Sequence, residues 1–96
     1  MTKEQIFIKV RAILFEQLNP TGNPKDPLFD HIKMETKLDS IEADSLDKVE
    51  IALRYEEEFG FKLDDSFIEL QTVEQHVETL EREISSREAA TVTPDA

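Results

Sequence analysis

The sequence predicts an all-α domain, and three observations carry that prediction. Apolar residues recur at spacings of three and four through long stretches of the chain. Two such stretches open on capping-box spacing, at Thr2 with Gln5 and at Thr72 with Gln75, and another opens on Asp44, a good N-cap. Breakers fall between them: a group of prolines after the first stretch, and Gly60 directly after Phe59. The 96 residues make one domain with a single core, and a chain of that size has a thin stability margin.

The first helix is expected over 2–18, with Ile6, Val10, Ile13, Leu14 and Leu18 on one face. Phe7, Ile8 and Phe15 are surplus to that face and are read as cover for the following loop. Residues 19–37 cannot be continuously helical, because Pro20, Gly22, Pro24 and Pro27 interrupt them. A connection this long is unusual in a compact domain and is often functional when ordered. Leu28, Phe29, Ile32 and Met34 are expected to pin it to the helices, with a short turn of helix among them.

The second helix starts at Asp44 and Ser45, and Asp47 and Glu50 suit the positive end of its dipole. It carries two apolar stripes. Ile51, Ala52, Tyr55 and Phe59 are expected to face the core, whereas Leu46, Val49 and Leu53 lie on another side among acids. One stripe anchors a helix, so periodicity leaves the second equally open to core packing and to transient docking. A short third helix is expected over 65–70, turning Phe67, Ile68 and Leu70 inward. The last helix begins at Thr72 and buries Val73, Val77, Leu80 and Ile84. Residues 85–96 are expected to form a disordered tail, which sets the domain at 1–84.

Composition narrows the functions available. The absence of cysteine rules out disulfides, thiolate metal sites and a catalytic thiol borne by the chain itself. The longest apolar run, 12–15, is too short to cross a bilayer, and residues 1–20 lack a basic start followed by an apolar stretch. No membrane insertion is therefore expected, and the expected compartment is the cytoplasm. The formal net charge of −11 repels nucleic acid and anionic lipid and attracts basic protein patches within a Debye length. Acidity also simply confers solubility, but here it is concentrated. Residues 39–58 hold Asp39, Glu42, Asp44, Asp47, Glu50, Glu56, Glu57 and Glu58 against only Lys48 and Arg54, more than half of the net charge.

The enzyme readings are weak. Ser45 stands in Ala-Asp-Ser-Leu-Asp, without the glycines of a nucleophile elbow. His31 and His76 cannot be placed beside it as a base and are read as surface histidines. A glycosidase-like pair of acids would lack a cleft, so no catalytic residue is assigned. The twelve residues 39–50 have the length of an EF-hand loop, but Ile41 and Ala43 stand at ligand positions and Asp44 replaces the turn glycine. No metal site is assigned. As a substrate, by contrast, Ser45 needs no base in its own chain. A serine just inside a helix start presents its hydroxyl outward, and a phosphodiester there would sit in the positive field of the helix end. A plain first-turn serine reads the same way, and physics alone does not separate the two.

The segment Leu-Asp-Ser-Ile-Glu-Ala-Asp-Ser-Leu-Asp-Lys-Val-Glu-Ile-Ala-Leu-Arg-Tyr-Glu-Glu-Glu-Phe-Gly-Phe-Lys-Leu, residues 38–63, resembles the acyl carrier protein signature. Its centre, Asp44-Ser45-Leu46, marks the serine to which that family attaches 4′-phosphopantetheine. The likeness extends upstream through Thr36, Leu38 and Ile41 and downstream through Asp47, Val49, Glu50, Glu56, Glu57, Glu58 and Phe59, and covers roughly residues 2–84. The resemblance implies a four-helix bundle with a long first loop, a short third helix and Ser45 as covalent attachment point. It moves the outer stripe of the second helix towards docking. Asp44, Leu46, Asp47, Val49, Glu50, Leu53, Glu56 and Glu57 would meet a phosphopantetheinyl transferase, an acyl-activating enzyme or transferase, and a ketoacyl synthase. The resemblance further implies a monomeric, non-catalytic carrier that delivers a tethered substrate at high effective concentration. Its acyl chain would slip between the second helix and the last two, parting Ala52, Tyr55, Phe59, Leu63, Phe67, Val77 and Leu80.

The chain departs from the family pattern at Glu42, where a glycine is usual, at Arg54, and in its longer, proline-rich first loop. The resemblance implies a place in fatty acid or specialised lipid biosynthesis, and these departures suggest a specialised carrier, for unusual or very long envelope-lipid chains or for a secondary metabolite. Two alternatives stand beside the fatty-acyl reading: an aminoacyl or peptidyl carrier, and an acidic helical interaction module with no arm.

Overall fold

A computed structural model describes residues 1–19 and 21–92, with side chains as far as Arg87. Helix α1 (Lys3–Leu18) opens on the Thr2–Gln5 capping box. It buries Ile6, Val10 and Leu14, with Ile13 and Leu18 partly covered at the margin of the core. Its surplus aromatics cover the loop as expected: Phe15 meets Phe29 edge-on at 5.4 Å, and the Arg11 guanidinium lies over both Phe7 and Phe29. Ile8 differs. It remains 58% exposed, because its place on α1 faces away from both loop and core.

The long connection is ordered by local polar bonds and then by burial. The Asp26 carboxylate accepts from the Leu28 amide and the Thr21 hydroxyl, and these bonds, the amide first, hold it below the usual aspartate range. Those bonds fix the entry to a one-turn helix, α2 (Leu28–His31), whose N-cap is Pro27. Ile32 is fully buried just beyond it, and Leu28 and Met34 pack against the core. Three backbone bonds then strap the chain to the start of the last helix: Leu38 N–H to the Gln71 carbonyl, Val73 N–H to Thr36, and Glu74 N–H to Met34. A 3₁₀ turn at Leu38–Ile41 sends Leu38 and Ile41 into the core and delivers the chain to α3 (Ser45–Phe59).

Gly60 closes α3 with φ 81°, a left-handed conformation that glycine adopts without steric cost. The expected third helix is a 3₁₀ turn, Asp65–Glu69, capped by Asp64, whose carboxylate accepts from the Ser66 amide. It buries Phe67, while Ile68 is only half-buried. Helix α4 (Val73–Val92) starts on the reciprocal Thr72–Gln75 box and sinks Val73, Val77 and Leu80. Its length corrects the expected tail. Residues 85–92 are helical, since Arg87, Ala89 and Ala90 are strong helix formers and no breaker occurs before Pro94; residues 93–96 lie outside those described.

The result is an all-α bundle in which α1, α3 and α4 enclose one core, with the 3₁₀ turn at Asp65–Glu69 closing one side. Among the described residues there is no strand, only an isolated bridge between Lys37 and Thr72, and no helix is long and apolar enough to cross a membrane.

Candidate functional site

The start of α3 is built by a reciprocal box of two aspartates. Asp44 Oδ1 accepts from the Asp47 amide at 2.9 Å, and Asp47 Oδ2 accepts from the Asp44 amide at 3.2 Å. Ser45 is the first helical residue and is exposed. Its amide and that of Leu46 precede the first intrahelical bond, which runs from Lys48 N–H to the Asp44 carbonyl. An outward hydroxyl therefore stands beside two amides without helical acceptors, at the positive end of a 15-residue helix. Both neighbouring carboxylates are already turned onto backbone amides.

The residue two before Asp44 shapes the approach. Glu42 lies at φ 61°, ψ 32°, where its amide bonds back to the preceding 3₁₀ turn and the chain reverses into the helix. Only glycine is unstrained there. The glycine expected at this place by resemblance has a conformational reason, and Glu42 adopts the same turn with strain.

Beyond Ser45, the two stripes of α3 separate cleanly. Ile51, Ala52 and Tyr55 are buried, with Phe59 packed at the edge of the core. Leu46, Val49 and Leu53 are 66%, 38% and 56% exposed and lie beside Asp47, Glu50 and Glu57. A shallow groove of about 530 Å³ continues this face, lined by Leu53, Glu56, Glu57, Gly60, Phe61 and Lys62. The acids are not equivalent. Glu57 is exposed, Glu50 accepts from the Gln17 amide group at 2.6 Å, and Glu56 is half-buried, its Oε2 accepting from the Leu63 amide at 2.7 Å. That last bond fixes the turn after α3, a structural task that sequence spacing did not reveal. Lys9 with Glu58 and Arg54 with Glu16 stitch α3 to α1 at 2.8 and 3.2 Å.

The interior that sequence reading assigned to an acyl chain is one closed cluster. Ala52, Tyr55, Phe67, Val77 and Leu80 belong to the core, and Phe59 and Leu63 pack against it. A hollow of about 150 Å³ opens beside Leu63, Phe67 and Leu70, between the last 3₁₀ turn and α4. His76 corrects the expectation of two surface histidines. His31 is exposed, but His76 is only 2% exposed, with Nδ1 3.1 Å from the Tyr55 hydroxyl. Burial first, then the positive charge of Lys48, pushes its pKa down to about 3, so the imidazole is neutral at pH 7. Burial likewise raises the Tyr55 phenol well above its ordinary value. His76 follows Val73 by three residues and precedes Leu80 by four, on the buried stripe; that spacing was the available signal.

No protein-family model matches the chain. Curated relatives do. Over 84 residues it is 34% identical to a protein named acyl carrier protein from Thermotoga maritima, spanning 86% of this chain and 96% of that relative. A protein of the same name from Petrotoga mobilis is 30% identical over 87 residues, 88% of this chain and 94% of the relative. A third, from Cyanidioschyzon merolae, is 37% identical over 81 residues, spanning 81% and 80% of the two chains.

Proposed function

The chain belongs to the acyl carrier protein family, and from that premise we propose that it carries acyl groups as thioesters on a 4′-phosphopantetheine arm joined to Ser45. One observation supports this above the others: an exposed serine hydroxyl at the first position of α3, within Asp44-Ser45-Leu46. The residues present fit the group. The unpaired amides of Ser45 and Leu46 favour a phosphodiester, and the reciprocal Asp44–Asp47 box keeps the adjacent carboxylate oxygens occupied. The bound arm supplies the thiol that a cysteine-free chain lacks.

This chain's own work is positioning. It holds the Ser45 oxygen outward on a rigid helix start, and partner enzymes bring the acids and bases of each transfer. The acidic outer face of α3 recruits them. Asp47, Glu50 and Glu57 would steer basic patches of a phosphopantetheinyl transferase, an acyl-activating enzyme and a ketoacyl synthase, and Leu46, Val49 and Leu53 would seal the contact. In lipid biosynthesis such a monomeric carrier works in the cytoplasm, and its acyl chain shelters between α3, the last 3₁₀ turn and α4. Ala52, Tyr55, Phe59, Leu63, Phe67, Val77 and Leu80 part to admit it, each buried methylene contributing about 0.8 kcal/mol before the cost of opening the core.

The test is incubation with coenzyme A and a broad-specificity phosphopantetheinyl transferase, read by intact mass. The wild type gains one arm, and Ser45→Ala stays folded and gains none. Absence of uptake by the wild type would leave only an arm-free interaction module.

A further inference from the structure

Among the described residues, the interior between α3 and α4 is apolar except at one point. Tyr55, from α3, and His76, from α4, are both enclosed, and the phenol oxygen lies 3.1 Å from Nδ1 of the imidazole. Aromatic rings fix the pair from the side. Phe67 meets Tyr55 edge-on at 5.6 Å and lies tilted against His76 at 4.5 Å. With the imidazole neutral, its two nitrogens differ. In the tautomer protonated on Nε2, Nδ1 accepts a hydrogen bond from the Tyr55 hydroxyl.

This pair sits among Ala52, Phe59, Leu63, Phe67, Val77 and Leu80, the side chains that must part if cargo enters, so any selectivity it imposes rests on the proposed interior site. We infer that Tyr55 and His76 select the cargo, favouring an acyl chain that bears a hydroxyl over a saturated one. A methylene segment pushed between them breaks their bond and offers nothing in return, leaving a buried phenol and a buried imidazole nitrogen unpaired. A chain hydroxyl can replace both halves of the bond. Its oxygen accepts from the Tyr55 hydroxyl while its own proton is donated to Nδ1. A keto oxygen accepts from Tyr55 but has no proton for Nδ1. In that tautomer the order of preference is hydroxyl, keto, saturated, and it is set by donor and acceptor count rather than by size.

The experiment uses arm-bearing protein loaded with octanoyl, oxo-octanoyl or hydroxyoctanoyl groups, the oxygen on the third, fifth or seventh carbon, each loading verified by mass. Melting temperature and the ring-nitrogen chemical shifts of His76 are read for every form. At least one hydroxy isomer raises the melting temperature several degrees above the octanoyl form and shifts the His76 ring nitrogens. Tyr55→Phe, which removes only the phenol oxygen, and His76→Leu, which removes the acceptor nitrogen, each narrow that advantage. If octanoyl stabilises as much as every hydroxy isomer, and moves the ring nitrogens equally, selection by the pair is overturned while entry into the interior stands. If no loaded chain moves either readout, the interior site itself falls and selection with it. The wild-type series decides both points even if a variant fails to fold.

Discussion

The inner and outer faces of α3 carry apolar residues at the same helical spacing and use them oppositely. Ile51 and Tyr55 are wholly enclosed against α1 and α4, whereas Leu46 and Leu53 stay more than half exposed. Hydrophobicity does not separate the two stripes, but their surroundings do. The outer one is interleaved with Asp47, Glu50 and Glu57, whose charges would lose hydration if that side were buried. A helix with one face anchored and another apolar but ringed by charge can bind and release partners without disturbing its own fold.

Substitutions across the two faces break or sharpen this contrast. On the inner face, Ile51→Ala or Tyr55→Ala should cost about 2–5 kcal/mol, measured from the midpoint of denaturant unfolding. A loss no larger than that of an outer-face change would abolish the distinction. A second inner-face effect is set by pH. The folded pKa of His76, about 3, lies below the ordinary histidine value of 6.5, so the stabilisation is complete above pH 6.5 and is lost as pH falls towards 3. Between pH 7 and pH 5 the wild type should lose about 2 kcal/mol relative to His76→Gln, a comparison in which the carboxylates common to both cancel. Parallel stability curves would show that the ring takes up its proton in the folded state.

Smaller effects belong to the exposed side. Glu42→Gly should raise stability by about 1 kcal/mol by relieving the left-handed backbone. Glu42→Gln, which removes the charge and keeps the strain, should gain less in the same thermal melts. Equal gains would assign the effect to charge. Least of all in stability is Leu53→Ala, expected within about 0.5 kcal/mol of wild type. Its consequence should appear as faster dissociation from partner enzymes, while Asp47→Lys with Glu50→Lys should slow association in a salt-dependent way. Unchanged transfer rates in both would remove the outer face from docking.

Much of this architecture was legible because local chemistry and global packing agree. The Thr2, Asp44 and Thr72 caps, the Gly60 stop and the buried stripes of α1 and α4 each arise from short-range rules. What escaped lies where tertiary contacts decide. Ile41, Ala43 and Phe61 enter the core from connecting segments that have no period to read. Glu56 looks like one more surface acid until its bond to the Leu63 amide is seen. His76 was misplaced because residue type was weighed above position, although it falls on the apolar stripe with Val73 and Leu80. The resemblance carried the assignment of Ser45. The exposed hydroxyl and free amides are compatible with attachment, and a plain first-turn serine would look the same.

The most direct test of that assignment is fragmentation mass spectrometry of the chain isolated from its own cells. The tryptic peptide 38–48 contains both Ser40 and Ser45, so fragment ions must place any modification between them. The expected result is a phosphopantetheine arm on Ser45 with Ser40 unmodified, and on part of the material an acyl group released by hydroxylamine, as a thioester must be. An unmodified peptide throughout, an arm on Ser40, or an aminoacyl group in place of the acyl chain would contradict it.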